Sequence, residues 1–130
     1  MRYVDVNVFV YWLGDDPVFG GRATAIIRRI ENGERALTST LTLWLTHIVL
    51  SDLSESYSEE GFIKKIRELG FLRIEPLLFQ DYAHALELMK AYELDLEDAL
   101  HLATAMRKNI REIYTNDTDF DRTPIRKVGF

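Results

Sequence analysis

Short β-prone segments alternating with amphipathic helical segments predict an α/β fold, a three-layer α/β/α arrangement. Its central sheet is mainly parallel, has four to five strands and is flanked by helices. Three observations carry this. Strand and helix patterns alternate along the chain. No internal repeat, low-complexity stretch or linker divides the sequence, so residues 1–130 form a single domain. Acids lie near the ends of two strand candidates, Asp5 in the first and Asp117 after the one that ends near Thr115, where ligands gather in parallel sheets.

The first strand is Arg2 to Val6, with Tyr3, Val4 and Val6 suited to burial; Asn7 to Leu13 turns into a helix. Gly14-Asp15-Asp16-Pro17 is a break. Arg22 to Ile30 reads as a helix with Ala23, Ile26, Ile27 and Ile30 on one stripe, ended by Gly33. Arg35 to Thr38 is a short strand. Ser39 or Thr40 caps the next helix, whose apolar stripe is Leu41, Trp44, Leu45, Ile48 and Val49. Ser58 with Gly61, then Ile63, Ile66 and Leu69, mark a helix stopped at Gly70. A strand lies within Phe71 to Leu78. Phe79 to Tyr92 is helical, with Tyr82, Ala85, Leu86 and Met89 inward. Asp95 caps a helix running to about Lys108, with Leu96, Ala99, Leu100, Ala103 and Met106 as its core stripe. Arg111 to Thr115 and Arg126 to Phe130 are the last strands.

Hydrophobic residues make up 47% and charged residues 28%, an ordinary globular composition. No apolar run is long enough to span a membrane, and the start lacks a secretory pattern, so a cytoplasmic location is expected. There is no cysteine, which excludes disulfides and thiolate metal sites. The net charge of −5 argues against passive electrostatic capture of nucleic acid. It is compatible with acids that hold cations. The basic groups Arg22-Arg28-Arg29, Lys64-Lys65-Arg67 and Arg107-Lys108-Arg111 read as solvated helix faces.

The chemistry-bearing residues are acids. Asp5 sits in an apolar strand, where an unpaired charge is costly. Asp98 falls near the third position of its helix, where an acid also favours the helix dipole. Asp117 and Asp119 stand in the turn Asn116-Asp117-Thr118-Asp119, where local hydrogen bonding is the structural alternative. Jointly they supply carboxylates from three distant segments to one rim. Such carboxylates repel unless cations hold them, and Mg²⁺ or Mn²⁺ acting on a phosphodiester is the matching chemistry. His47, His84 and His101 lie in different helices without ligand spacing and read as structural or surface residues. A phosphorylation-receiver reading fails, because Asp52 stands in helical surroundings rather than at a strand end.

Four segments, in order, resemble the PIN-domain family and within it the VapC-like toxin ribonucleases: Tyr3 to Phe9, Leu37 to Leu43, Glu97 to Ala105 and Ile113 to Phe120. The resemblance implies metal-binding, catalytic acids at Asp5, Asp98 and Asp117, Asp119 as an auxiliary ligand, and Asn7 and Thr115 in support. It implies Mg²⁺- or Mn²⁺-dependent hydrolysis of RNA, a homodimer and an antitoxin protein as partner. The chain departs from the family at one place. Leu45 stands three residues after Thr42, where the family has a Glu. Either the three Asp residues suffice, or an acid from elsewhere substitutes, or the chain is an impaired PIN domain that binds RNA or protein.

Overall fold

The computed structural model describes residues 1–130. Five strands, β1 (Arg2–Val4), β2 (Ala36–Ser39), β3 (Leu72–Glu75), β4 (Glu112–Tyr114) and β5 (Arg126–Val128), form one sheet in the order β3-β2-β1-β4-β5. Every pairing is parallel. Six helices connect them: α1 (Val6–Leu13), α2 (Gly20–Glu31), α3 (Thr40–Leu53), α4 (Glu59–Arg67), α5 (Phe79–Tyr92) and α6 (Leu96–Arg107). A short 3₁₀ turn spans Thr118–Arg122.

Strand alternation sends neighbouring side chains to opposite faces and so builds two cores. Tyr3, Leu37 and Ile113 pack with Ala85 and Leu88 of α5 and with Ala99 to Ala103 of α6. Val4, Ala36 and Tyr114 pack with Val8, Phe9, Ile26, Ile27, Phe62 and Ile66 from α1, α2 and α4. The sheet is therefore covered on both sides, as the alternation predicts. The helix starts follow capping chemistry. Ser39 accepts from the Thr42 N–H, Ser58 from Gly61 and Asp95 from Asp98. Gly33 takes φ +114°, a conformation that suits glycine, just past the end of α2.

Two helix faces differ from expectation. On α3 the buried residues are Thr42, Thr46 and Leu50, whereas Trp44 is 60% exposed and Ile48 and Val49 are also open. The apolar period of α3 marks an outward face, and its inward face carries hydroxyls that hydrogen-bond locally; Thr46 Oγ1 donates to the Thr42 carbonyl at 2.7 Å. Leu45 is half-buried and joins neither core. On α5 the buried residues are Asp81, Ala85 and Leu88, while Tyr82 and Leu86 face out. Asp81 is inward because Arg107 reaches it with two hydrogen bonds, Nε to Oδ1 at 2.9 Å and Nη2 to Oδ2 at 3.1 Å. Leu96 and Met106, expected in the core, lie at the open ends of α6.

Candidate metal centre

Connections run outward from β1 to β2 and β3 on one side, then return to β4 and β5 on the other. The chain order thus reverses between β1 and β4, and the crevice at that switch point is where ligands bind in open α/β sheets. Asp5 directly follows β1 and Asp117 lies three residues past the end of β4. The N-terminus of α6 brings Asp98 to the same place.

Asp98, Asp117 and Asp119 each present a carboxylate oxygen within 4.8 Å of the others. Asp5 is outside this closest trio but beside it, and its charge contributes to the upward shifts of both Asp98 and Asp117. Asp5 is tied down rather than free. Its Oδ1 accepts from the Val6 N–H at 2.7 Å and its Oδ2 from Thr115 Oγ1 at 2.7 Å. Thr115 also accepts from the Asp117 N–H at 3.0 Å and from Asn7 Nδ2 at 3.3 Å, so one buried hydroxyl links the first acid to the last turn. Asn7 donates in addition to Asn116 Oδ1 at 2.7 Å. Asp117 Oδ1 caps the 3₁₀ turn by accepting from the Asp119 N–H, and Arg122 lies 3.3 Å from Asp119 Oδ1.

The electrostatics record the crowding. The Asp98 carboxyl is pushed up to about 8, first by burial and then by Asp117, Asp95, Asp5 and Glu97. This occurs at a helix N-terminus, which on its own favours the anion. Asp117 is raised by burial and by Asp119, Asp5 and Asp95, against the lowering effect of its bond from the Asp119 N–H. Glu97 is raised by burial, then Asp5, Asp95 and Asp117. No cationic side chain is paired with Asp98 or Asp117, so a cation from solution is the group that would relieve the repulsion. The oxygen-only donors of the trio fit a hard divalent cation.

All six residues singled out in the sequence, Asp5, Asn7, Asp98, Thr115, Asp117 and Asp119, therefore gather at one rim. Two further titratable residues lie beside them, and the burial of His101 agrees with its structural reading. Glu97 belongs to the same field of charge, and His101 is completely buried beside it, with Nε2 3.8 Å from Asp5 Oδ1 and 4.0 Å from Glu97 Oε1. The available signal was the four-residue spacing of Glu97 and His101, which stacks them on one helix face.

A family model, PIN domain, matches residues 2–126. Similar solved structures include Mycobacterium tuberculosis VapC20, a sarcin-ricin-loop-cleaving toxin, at 19% identity and TM-score 0.72, covering 93% of each chain. VapBC2 from Rickettsia felis, bound to a DNA fragment from its promoter, is 20% identical with TM-score 0.72, covering 99% of this chain and 98% of the other. A toxin–antitoxin complex from Klebsiella pneumoniae is 22% identical with TM-score 0.68, covering 98% and 96%. Comparison with curated protein sequences gives no match. The family match over nearly the whole chain, on a fold with its acids at the sheet's switch point, makes this chain a member of the PIN-domain family.

Proposed function

We propose that this chain is a divalent-cation-dependent endoribonuclease, the toxin of a toxin–antitoxin pair. The observation that carries the reading is the trio Asp98, Asp117 and Asp119 beside Asp5, with a carboxyl at Asp98 that stays protonated near neutral pH unless a cation replaces the proton. The match to the PIN model and the likeness to the VapC structures support it. Asp98, Asp117 and Asp119 are the residues that would hold Mg²⁺ or Mn²⁺, with Asp5 adjoining. When bound, the cation supplies a lowered pKa for water and stabilises negative charge developing on a phosphoryl group. Thr115 keeps Asp5 oriented and ties the Asp117 turn to it, while Asn7 braces Thr115. With a net charge of −5, the protein depends on the cation to bring an RNA phosphate to this rim.

The reading includes a homodimer, an antitoxin that covers the acidic rim and a cytoplasmic location. The outward apolar face of α3, Trp44 with Ile48 and Leu53, supports a protein interface. No helix is long and apolar enough to cross a membrane. A second reading, a PIN domain that binds RNA or protein without cutting, has one observation in its favour: α3 brings Leu45, not an acid, to its turn after Thr42.

The deciding experiment compares cleavage of RNA by the wild type and Asp98→Asn with Mg²⁺, with Mn²⁺ and with EDTA. Cleavage that needs the cation and is lost in Asp98→Asn supports the nuclease. Retained RNA binding without cleavage under every condition supports the binding module.

A further inference from the structure

Arg122 closes the 3₁₀ turn that Asp117 caps and Asp119 belongs to, yet its guanidinium reaches back to a different part of the chain. Its Nε donates to the Tyr92 carbonyl at 3.0 Å and its Nη2 to the Glu93 carbonyl at 2.7 Å. Its Nη1 donates to Asp119 Oδ1 at 3.3 Å. Tyr92 is the last residue of α5 and Glu93 its C-cap. The final carbonyls of a helix have no partner within it, and a positive charge suits that end of its dipole. Glu93 also takes φ +55°, a left-handed conformation that disfavours residues with a Cβ. The two bonds from Arg122 hold the backbone at this bend. Only Glu93, Leu94 and Asp95 then separate α5 from α6. Asp95 caps α6, and Asp98 follows in its first turn. One planar side chain therefore grips both segments that must meet at the rim: the turn with Asp117 and Asp119, and the junction from which α6 carries Asp98. Leu94 and Phe120, one from each segment, are buried in the same core.

We infer that Arg122 is a positioning residue for the cation site: it sets the spacing between Asp98 on α6 and the Asp117–Asp119 turn, and orients Asp119 through Oδ1 while leaving Oδ2 free. The carboxylates it spaces lie within 4.8 Å of one another and repel. A fixed junction resists that repulsion. The inference rests on the cation-dependent reading above and adds a residue that binds no cation itself. It also predicts a sign. By charge alone, deleting a positive group beside a cation site should tighten cation binding. By positioning, the same deletion should weaken it, since groups that orient ligating carboxylates typically contribute about 10–100-fold to metal affinity. Lysine would keep the charge but lack the planar fork that serves two carbonyls and a carboxylate together.

The test is isothermal titration of the whole protein with Mn²⁺, in wild type, Arg122→Ala, Arg122→Lys and Arg107→Ala, each shown to be folded by circular dichroism. Arg107→Ala is the control, because it loosens the same helix pair at its far end, where Arg107 of α6 meets Asp81 of α5. Arg122→Ala should bind Mn²⁺ about tenfold more weakly than wild type, with Arg122→Lys also weakened and Arg107→Ala unchanged. If Arg122→Ala does not fold, Arg122→Lys decides. Arg122→Ala binding as tightly as wild type or more tightly, or Arg122→Lys matching wild type, would overturn the inference and leave the nuclease reading standing. An equal loss in Arg107→Ala would also overturn it, since the effect would then be general loosening. A wild type that binds no Mn²⁺ would overturn the cation-dependent reading, and this inference with it.

Discussion

Removing the charge at position 98 should stabilise the cation-free protein. The Asp98 carboxylate accepts no hydrogen bond from the protein; only its backbone N–H is engaged, by Asp95. Asp98→Asn therefore deletes repulsion and keeps the shape. The carboxyl titrates at about 8 in the folded protein against an ordinary 3.8. The folded state thus holds this proton more tightly than the unfolded state. Its contribution is least harmful below about pH 4, worsens as pH rises and is at its worst above about 8. At ~1.4 kcal/mol for each tenfold, that separation sets a ceiling of ~6 kcal/mol. The neighbouring acids share protons and water reaches the rim, so ~2–3 kcal/mol is the expected gain at pH 9. Urea unfolding in EDTA, from pH 4.5 to 9, measures it. With a slope of ~1–3 kcal/mol per molar urea, the midpoint of Asp98→Asn should rise by ~1–2 M at pH 9 and hardly at pH 4.5. A variant no more stable than wild type at pH 9, or one whose advantage does not change with pH, would refute the crowding on which the site depends.

Addition of Mn²⁺ at pH 8 should raise the melting temperature of wild type in a concentration-dependent way, and much less in Asp117→Asn, as differential scanning fluorimetry will show. Thr115→Val removes the donor to Asp5 and the acceptor for the Asp117 N–H; a loss of ~1–3 kcal/mol in chemical denaturation is expected, together with weaker Mn²⁺ binding. Arg107→Ala strands two buried acids, Asp81 and Glu75, at a cost of ~3 kcal/mol. Burial alone would raise both carboxyls, yet hydrogen bonds from Arg107 and the nearby positive charges hold them below their ordinary values. Their contribution is therefore present above about pH 4 and lost on further acidification, so the penalty of Arg107→Ala should shrink in acid. If the proposed homodimer forms through α3, replacing Trp44 and Ile48 together with Glu should leave only monomer in sedimentation velocity while helical circular dichroism is retained; a wild type that is itself monomeric would refute that part of the reading.

Much of the architecture was legible because local and global preferences agree. The Ala23-Ile26-Ile27-Ile30 stripe faces the core as its spacing says, and Ser39, Ser58 and Asp95 cap where the patterns begin. The acids at positions 5 and 117 were legible because strand ends in a parallel sheet share one rim. The outward face of α3 was not, since periodicity reports which residues share a face and not what covers it. A helix exposing Trp44 while burying Thr42 and Thr46 inverts the usual assignment. The inward Asp81 was hidden for a related reason: its partner Arg107 is 26 residues away, and only folding brings them together. His101 is structural, as its lack of ligand spacing suggested, but its depth of burial was not legible, because nothing local announces that Tyr3, 98 residues distant, lies against its Nδ1.

The central claim is that folding assembles an anionic pocket that holds a divalent cation. Anomalous diffraction from crystals grown with Mn²⁺ tests it directly. A peak ~2.1 Å from carboxylate oxygens of Asp98 and Asp117 is the predicted result. Manganese bound only at remote surface acids, with those two side chains turned apart, would contradict it.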